Sequence, residues 1–347
     1  MLLERFRGRR LVMSEIEGGM GPEMELAPAE KFWRKRRWPM LGERVPVRRR
    51  SEMTWRAERS QVTPFHQQML VLLGLQDSKA DWGSSVMEAL IESRAVSFEN
   101  KGLLNISRDG AIQVLTDEAE GLKFKFTDAV DIGPDGKLYF TDASYKYDVD
   151  HAFLELMEGR PHGRFLSYDP STKKTTILLK DLYFANGVTL SADHTFVIVC
   201  ETVMMRCKKY YIQGPQAGSV EIFIDNLPGL PDNIRYDGHG LYWIALATDS
   251  SFSKMLRQRP WIRKVIVTLD KYGLRPKTER NGGTIAVNLE GKAVAHYYDA
   301  DVSYVTCCNK LSHYLYCGSL ISPYITRLDL TLFPATATAT ATTTPPS

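Results

Sequence analysis

Pro231-Asp232-Asn233-Ile234-Arg235-Tyr236-Asp237-Gly238-His239-Gly240-Leu241-Tyr242-Trp243-Ile244 is a β-hairpin spelled out in residues. An alternating strand leads into a turn built on Asp and Gly, and a second strand follows, rich in aromatic and β-branched side chains. The pattern recurs from Thr127 to Phe140, from Ala185 to Ile198 and, more weakly, from Val305 to Leu320. Further strand-like runs lie between the copies: Gly163 to Tyr168, Thr175 to Leu179, Ser219 to Ile224, Thr284 to Leu289 and Tyr324 to Leu328. Four strands repeated every ~45–60 residues are the signature of a β-propeller, whose blades are four-stranded sheets around a channel. No stretch alternates strand with helix as a doubly wound fold or an α/β barrel would. The expected fold class is all-β, a propeller with four blades recognisable between Glu99 and Pro334.

The flanks have a different texture. The 347 residues carry 44 Lys+Arg and 41 Asp+Glu, a formal net charge of +3. The first sixty residues hold 15 basic and 9 acidic side chains, so the positive excess belongs to that preface and the rest is slightly acidic. Apolar residues there keep neither a strand nor a helix period. Residues 1–98 are therefore expected to be an atypical basic segment, disordered in part. Helix is expected from Phe65 to Ala95, with a capping box at Ser85-Val86-Met87-Glu88. Residues 335–347, an Ala/Thr repeat ending in prolines, read as a disordered tail. The basic clusters accompany no nucleic-acid-binding motif, so no nucleic-acid partner is expected. The longest apolar run, Met69 to Leu75, is far short of the roughly 20 residues that cross a bilayer. Charges among Met1 to Arg10 interrupt any secretory h-region, so no signal peptide is visible.

Aligning the hairpins brings a second pattern into register. In a propeller the first strand of each blade lines the channel, and its early residues sit near one mouth. There the four copies carry Asp128, Asn186, Asp232 with Asn233, and Thr306. Carboxylate and amide oxygens are what Ca²⁺ coordinates, with six to eight ligands at about 2.3 to 2.6 Å. A calcium site formed by Asp128, Asn186, Asp232 and Asn233 is the expectation. Each residue alone also reads as turn chemistry, Asn186-Gly187 most of all. Asp135, Asp193 and Asp237 sit in the hairpin turns and are read as structural.

Phe126-Thr127-Asp128-Ala129-Val130-Asp131, Tyr139-Phe140-Thr141-Asp142-Ala143-Ser144, Gly159-Arg160-Pro161-His162-Gly163-Arg164, Phe184-Ala185-Asn186-Gly187-Val188, Cys200-Glu201-Thr202 and Leu227 to Arg235 resemble the plant strictosidine-synthase-like proteins. Wider relatives of these include adipocyte plasma membrane-associated protein, paraoxonases and gluconolactonases. The resemblance covers about Glu99 to Pro334 and implies a six-bladed propeller with a channel Ca²⁺. It also implies a small-molecule substrate and a vacuolar or endomembrane location. Two activities occur among these relatives. Strictosidine synthesis, an amine–aldehyde condensation, uses a glutamate on the last blade, and that position falls on Thr306 here. A threonine hydroxyl has no pKa near neutrality with which to shuttle the proton, so a calcium-dependent esterase or lactonase is the expected activity. Its catalytic base is not identifiable, and a catalytically degenerate propeller serving as a binding scaffold is the alternative. The family's first-blade acidic ligand has Glu23 as its nearest match. His162 is read as a hydrogen-bonding loop residue. The cysteines number five, an odd count. Cys200 and Cys207 either face each other across a hairpin or are buried thiols. Asn105-Ile106-Ser107 is the one glycosylation sequon.

Overall fold

β-Strand dominates the computed structural model of the chain, which describes residues 44–46, 93–98, 101–107, 112–274, 281–300, 302–322 and 324–335. Among the described residues twenty-one strands follow in order. The first six are β1 (Arg44–Pro46), β2 (Ser93–Phe98), β3 (Gly102–Ser107), β4 (Ile112–Thr116), β5 (Glu118–Ala119) and β6 (Leu122–Lys123). Blade I is β7 (Thr127–Ile132), β8 (Leu138–Asp142), β9 (Gly163–Asp169) and β10 (Lys174–Leu182). Blade II is β11 (Ala185–Leu190), β12 (Phe196–Glu201), β13 (Arg206–Tyr211) and β14 (Val220–Ile224). Blade III is β15 (Gly229–Tyr236), β16 (Leu241–Asp249), β17 (Gly282–Asn288) and β18 (Ala293–Asp299). Blade IV is β19 (Val305–Leu311), β20 (Tyr314–Ser319) and β21 (Tyr324–Asp329), with β1 as its outermost strand. Each blade is antiparallel, and the inner strands β7, β11, β15 and β19 lie side by side. This is the all-β propeller expected from the hairpin repeats.

Two segments extend the sheets beyond the boundary expected at residues 98/99. Ser93–Phe98 is a strand rather than helix, pairs with β3 in a three-stranded sheet, and lies against β7. Arg44–Pro46 completes blade IV against β21. The rest of the helix expected from Phe65, the preface with Glu23, and the tail beyond Ala335 lie outside the described residues.

Strand β16 shows why this sequence makes blades. It is apolar on both faces because each face meets a different neighbour. Tyr242, Ile244 and Leu246 pack with Ile198, Cys200 and Cys207 of blade II, whereas Leu241, Trp243 and Ala245 pack with Leu315, Cys317 and Leu328 of blade IV. The hairpin turns are fixed by the aspartates read as structural. Asp135 Oδ1 accepts from the Lys137 amide at 3.2 Å, Asp193 Oδ1 from the Thr195 amide at 3.1 Å, and Asp237 Oδ1 from the His239 amide at 2.7 Å. Asp237 also reaches the next blade, where its Oδ2 meets Lys310 Nζ at 3.0 Å.

Disulfides join Cys200 to Cys207 between β12 and β13, and Cys308 to Cys317 between β19 and β20; the fifth cysteine, Cys307, is a buried thiol. Asn105, the sequon asparagine, sits on the middle strand of the three-stranded sheet, half-buried, with its Oδ1 buried and without a hydrogen-bond partner.

Candidate functional site

The four inner strands break register at the same height. The ladder slips between Thr127 and Val130 on β7, Ala185 and Val188 on β11, Pro231 and Ile234 on β15, and Val305 and Cys307 on β19. Those intervals hold Asp128, Asn186, Asp232 with Asn233, and Thr306. A bulge turns a side chain away from the regular pleat and is a common device beside functional sites. Asn186-Gly187 is therefore not a hairpin turn but part of β11. Gly187 serves close approach instead: a Cβ there would stand 2.5 Å from the Asp232 carbonyl oxygen and 2.7 Å from Asn233 Cα. The absent side chain lets β11 and β15 converge, which brings Asn186 beside Asp232.

Hydrogen bonds pass the arrangement from blade to blade. Thr141 Oγ1 of β8 donates to the Asn186 carbonyl at 2.7 Å and accepts from the Ala129 amide at 3.1 Å. Thr202 Oγ1 donates to the Pro231 carbonyl at 2.8 Å. Asn233 Nδ2 donates to the Thr306 carbonyl and to Asp232 Oδ1, both at 3.0 Å. Below this layer, Arg164 grips Asp142 through Nε at 3.0 Å and Nη2 at 2.6 Å, and Asp142 Oδ1 accepts from the Phe126 amide at 3.1 Å, two residues before Asp128. Burial pushes Asp142 up to about 6 despite the guanidinium.

Asp128, Asn186, Asp232, Asn233 and Thr306 are all buried. Burial raises Asp232 well above the usual carboxylate range, and the charge of Asp128 raises it further; amide donors from Asn233 and Asn186 pull the other way. Two carboxylates that feel each other's charge in a buried site are destabilised by desolvation and like-charge repulsion. Asn186 Oδ1 is buried there with no hydrogen-bond partner. An oxygen-ligated hard cation fits both observations, because it neutralises the carboxylates and supplies the missing partner for the amide oxygen. Among the described residues no group of three or more His, Cys, Asp and Glu side chains could hold a metal. A cation here would rest on a mixed set of two carboxylates and neutral oxygens.

This polar layer is the floor of a cavity of about 260 Å³. Phe126, Phe184 and Leu230 form its walls. Its roof is three short helices that the sequence reading did not find: α1 (Ala152–Glu158), α2 (Ser251–Gln258) and α3 (Trp261–Lys271). Met157, Leu256 and Ile266 are buried at their junction, with Phe153, Phe252 and Ile262 packed around them. Pro260 before α3, and Ile262, Ile266 and Leu269 at helical spacing, were the available signals. His162 does not line the cavity. Its Nδ1 lies 2.9 Å from Glu155 Oε2 on α1, which also accepts from Ser144 Oγ at 2.8 Å. His162 thus fastens the roof to blade I, in line with its reading as a hydrogen-bonding residue.

The sequence profile of the strictosidine synthase family matches residues 128–215. Over 238 residues the chain is 51% identical to Protein Strictosidine Synthase-like 7 of Arabidopsis thaliana, covering 68% of this chain and 63% of that one. It is 39% identical over 221 residues to adipocyte plasma membrane-associated protein of Rattus norvegicus, covering 61% and 59%. Among solved structures, a gluconolactonase from Xanthomonas campestris superposes with a TM-score of 0.47 at 14% identity over 68% of this chain and 67% of that one. The chain spans less than two thirds of the length of these curated relatives. Over the aligned 68% of this chain about half of the residues are identical to those of the plant relative, and the chain is similar to the strictosidine-synthase-like proteins.

Proposed function

We propose that the protein is a calcium-dependent hydrolase of the esterase or lactonase type acting on a small, largely apolar molecule. The observation that carries this reading is the convergence of Asp128, Asn186, Asp232 and Thr306 on the lining of a largely apolar cavity. Asp128 and Asp232 would hold the ion with Asn186, and Asn233 would keep Asp232 in place through its 3.0 Å bond. Calcium so held would supply a positive charge able to polarise an ester or lactone carbonyl and to favour the negative charge that develops on its oxygen during hydrolysis. Phe126, Phe184 and Leu230 with the helical roof keep bulk water from the acyl group and hold its apolar part. Thr306 stands buried at the floor, where its hydroxyl can hydrogen-bond a ligand but, with no pKa near neutrality, cannot act as general acid and base. This argues against amine–aldehyde condensation.

The described lining residues include no histidine or glutamate to serve as base. That observation favours a second reading, binding without turnover. One experiment separates the two: calorimetric titration with CaCl₂, followed by a panel of aryl esters and lactones with and without the ion. Calcium binding with calcium-dependent hydrolysis supports the hydrolase; calcium-independent ligand binding without turnover supports the scaffold. A folded protein that does not bind calcium excludes the metal reading. We further propose an endomembrane or vacuolar location, since two disulfides suit an oxidising compartment. No helix among the described residues is long and apolar enough to cross a membrane.

A further inference from the structure

Helix α3 has two apolar faces. At 100° per residue, Ile262 and Ile266 fall on one stripe and pack beneath against α1 and α2. Trp261, Val265 and Tyr272 fall on another, spanning roughly 40° of the helix circumference, and this stripe points away from the protein. Trp261 is 64% exposed, Val265 46% and Tyr272 76%, and Leu274 just beyond is 65% exposed. Large apolar side chains so open, and in line, are not the scattered singles of an ordinary surface.

The charges around this stripe are of one sign. Residues 251–274 hold six basic side chains, Lys254, Arg257, Arg259, Arg263, Lys264 and Lys271, against a single acid, Asp270. From residue 61 to the C-terminus the chain as a whole has 29 basic and 32 acidic residues, so this basicity is local. Lys264 and Lys271 border the apolar stripe, and Lys254 and Arg259 are exposed on α2 and the turn after it, as is Arg257, which also reaches the cavity lining. None of these five is in an ion pair with a described residue.

We propose that the outer face of α2 and α3 is a docking surface for an anionic lipid bilayer. Tryptophan and tyrosine settle at the headgroup level, where an apolar ring meets water, and lysine and arginine beside them face lipid phosphates. A second copy of the chain is a poor occupant, because a two-fold contact would set these like charges against each other. The same helices roof the cavity, with Leu256 and Ile266 among its lining. Docking through their outer side brings the cavity to the membrane surface, the phase in which an apolar ligand is concentrated. The surface does not depend on the calcium site.

The test is co-sedimentation of the full chain, without calcium, with vesicles of pure phosphatidylcholine and of an equal mixture of phosphatidylcholine and phosphatidylserine. Binding to the mixed vesicles is expected, weakened about tenfold by raising NaCl from 0.1 to 0.5 M. The exposed pair Trp261→Ser/Tyr272→Ser and the charge pair Lys264→Glu/Lys271→Glu should each reduce it about tenfold while leaving circular dichroism unchanged. Quenching of tryptophan emission by brominated lipid should fall in Trp261→Phe, which separates this surface from the basic preface with its own tryptophans. No binding by the folded wild type, or binding untouched in both double variants, overturns the proposal. Loss in the variants of self-association or of a purified acidic protein partner, with vesicle binding unchanged, overturns it in favour of that occupant.

Discussion

The floor of the cavity is made by backbone and its roof by insertion. Asp128, Asn186, Asp232 and Thr306 stand on bulges of strands that every blade must have, and hydrogen bonds from Thr141, Thr202 and Asn233 tie each blade to the next. Helix α1 fills the connection between β8 and β9, and α2 with α3 fills that between β16 and β17. Removing those insertions would leave the blades hydrogen-bonded as they are. Shifting one inner strand would dismantle the floor. The floor is thus suited to fixed charge and the roof to a changeable apolar ligand.

That contrast breaks most visibly at the supports. Asp142 and Arg164 are both buried, and Asp142→Ala leaves a buried guanidinium without its carboxylate and the Phe126 amide without its acceptor. The expected cost is about 3–5 kcal/mol in urea unfolding. Arg263→Gln, on the roof, should cost about 1 kcal/mol, since Arg263 loses only 3.3 Å bonds to the Glu158 and Leu256 carbonyls. Equal losses would show that the roof is as integral as the floor.

Acid tests whether the blades or the roof give way first. His296 on β18 is buried, its Nδ1 has no hydrogen-bond partner, and burial lowers it to about 4. The unfolded chain takes up a proton near pH 6.5 that the folded chain refuses until about 4. Stability is therefore fully present above pH 6.5 and is lost as pH falls from there towards 4, by about 3 kcal/mol in all. Because His296 belongs to a blade, near-ultraviolet and helical circular dichroism should decay together over that range. His296→Phe should flatten the decline. Loss of helix alone would place the acid-sensitive element in the roof.

The two regions also divide the ligands. Asp232→Ala should weaken calcium about a hundredfold in calorimetry, by removing a carboxylate held at the centre of the floor. Its effect on binding of an apolar ligand in the absence of calcium should be small. An unchanged calcium affinity would remove Asp232 from the proposed site.

Floor and roof were also unequally legible in the sequence. The hairpin copies gave the blades because period-two alternation and Asp-containing turns are local signals, and their alignment gave the floor because repeats carry equivalent positions into register. Gly187 shows where the same reading stopped. Next to Asn186 it looks like a turn, and its reason, the approach of the Asp232 carbonyl to 2.5 Å from where a Cβ would be, lies 45 residues away in sequence. The roof helices escaped because each is short, at 7, 8 and 11 residues, and occurs once. No repeat reinforced their pattern. Strands β1 and β2 are not legible because a three-residue edge strand has no period, and because Ser93–Phe98 finds its partner only in β3, beyond the turn that follows it. The disulfide of Cys308 with Cys317 needed the β19–β20 register, which pairs those two residues directly.

The smallest expected effect is the one that isolates the roof. Phe252 on α2 lines the cavity but is only half-buried, so truncating it removes apolar contact without opening the core. Half the burial of a phenylalanine ring corresponds to about 1–1.5 kcal/mol, which is roughly a tenfold loss of affinity for a ligand that touches it. Phe252→Ala should therefore raise the dissociation constant of an apolar ester about tenfold, leave calcium affinity unchanged, and leave the free energy of urea unfolding within about 1 kcal/mol of wild type. Asp232→Ala should produce the converse pattern. If both variants shift calcium and ligand together, floor and roof move as one body and the division between fixed charge and adjustable cover fails. If each shifts only its own ligand, the helices are a replaceable cover on a constant floor, and differences in substrate within the family should map to the β8–β9 and β16–β17 connections rather than to the blades.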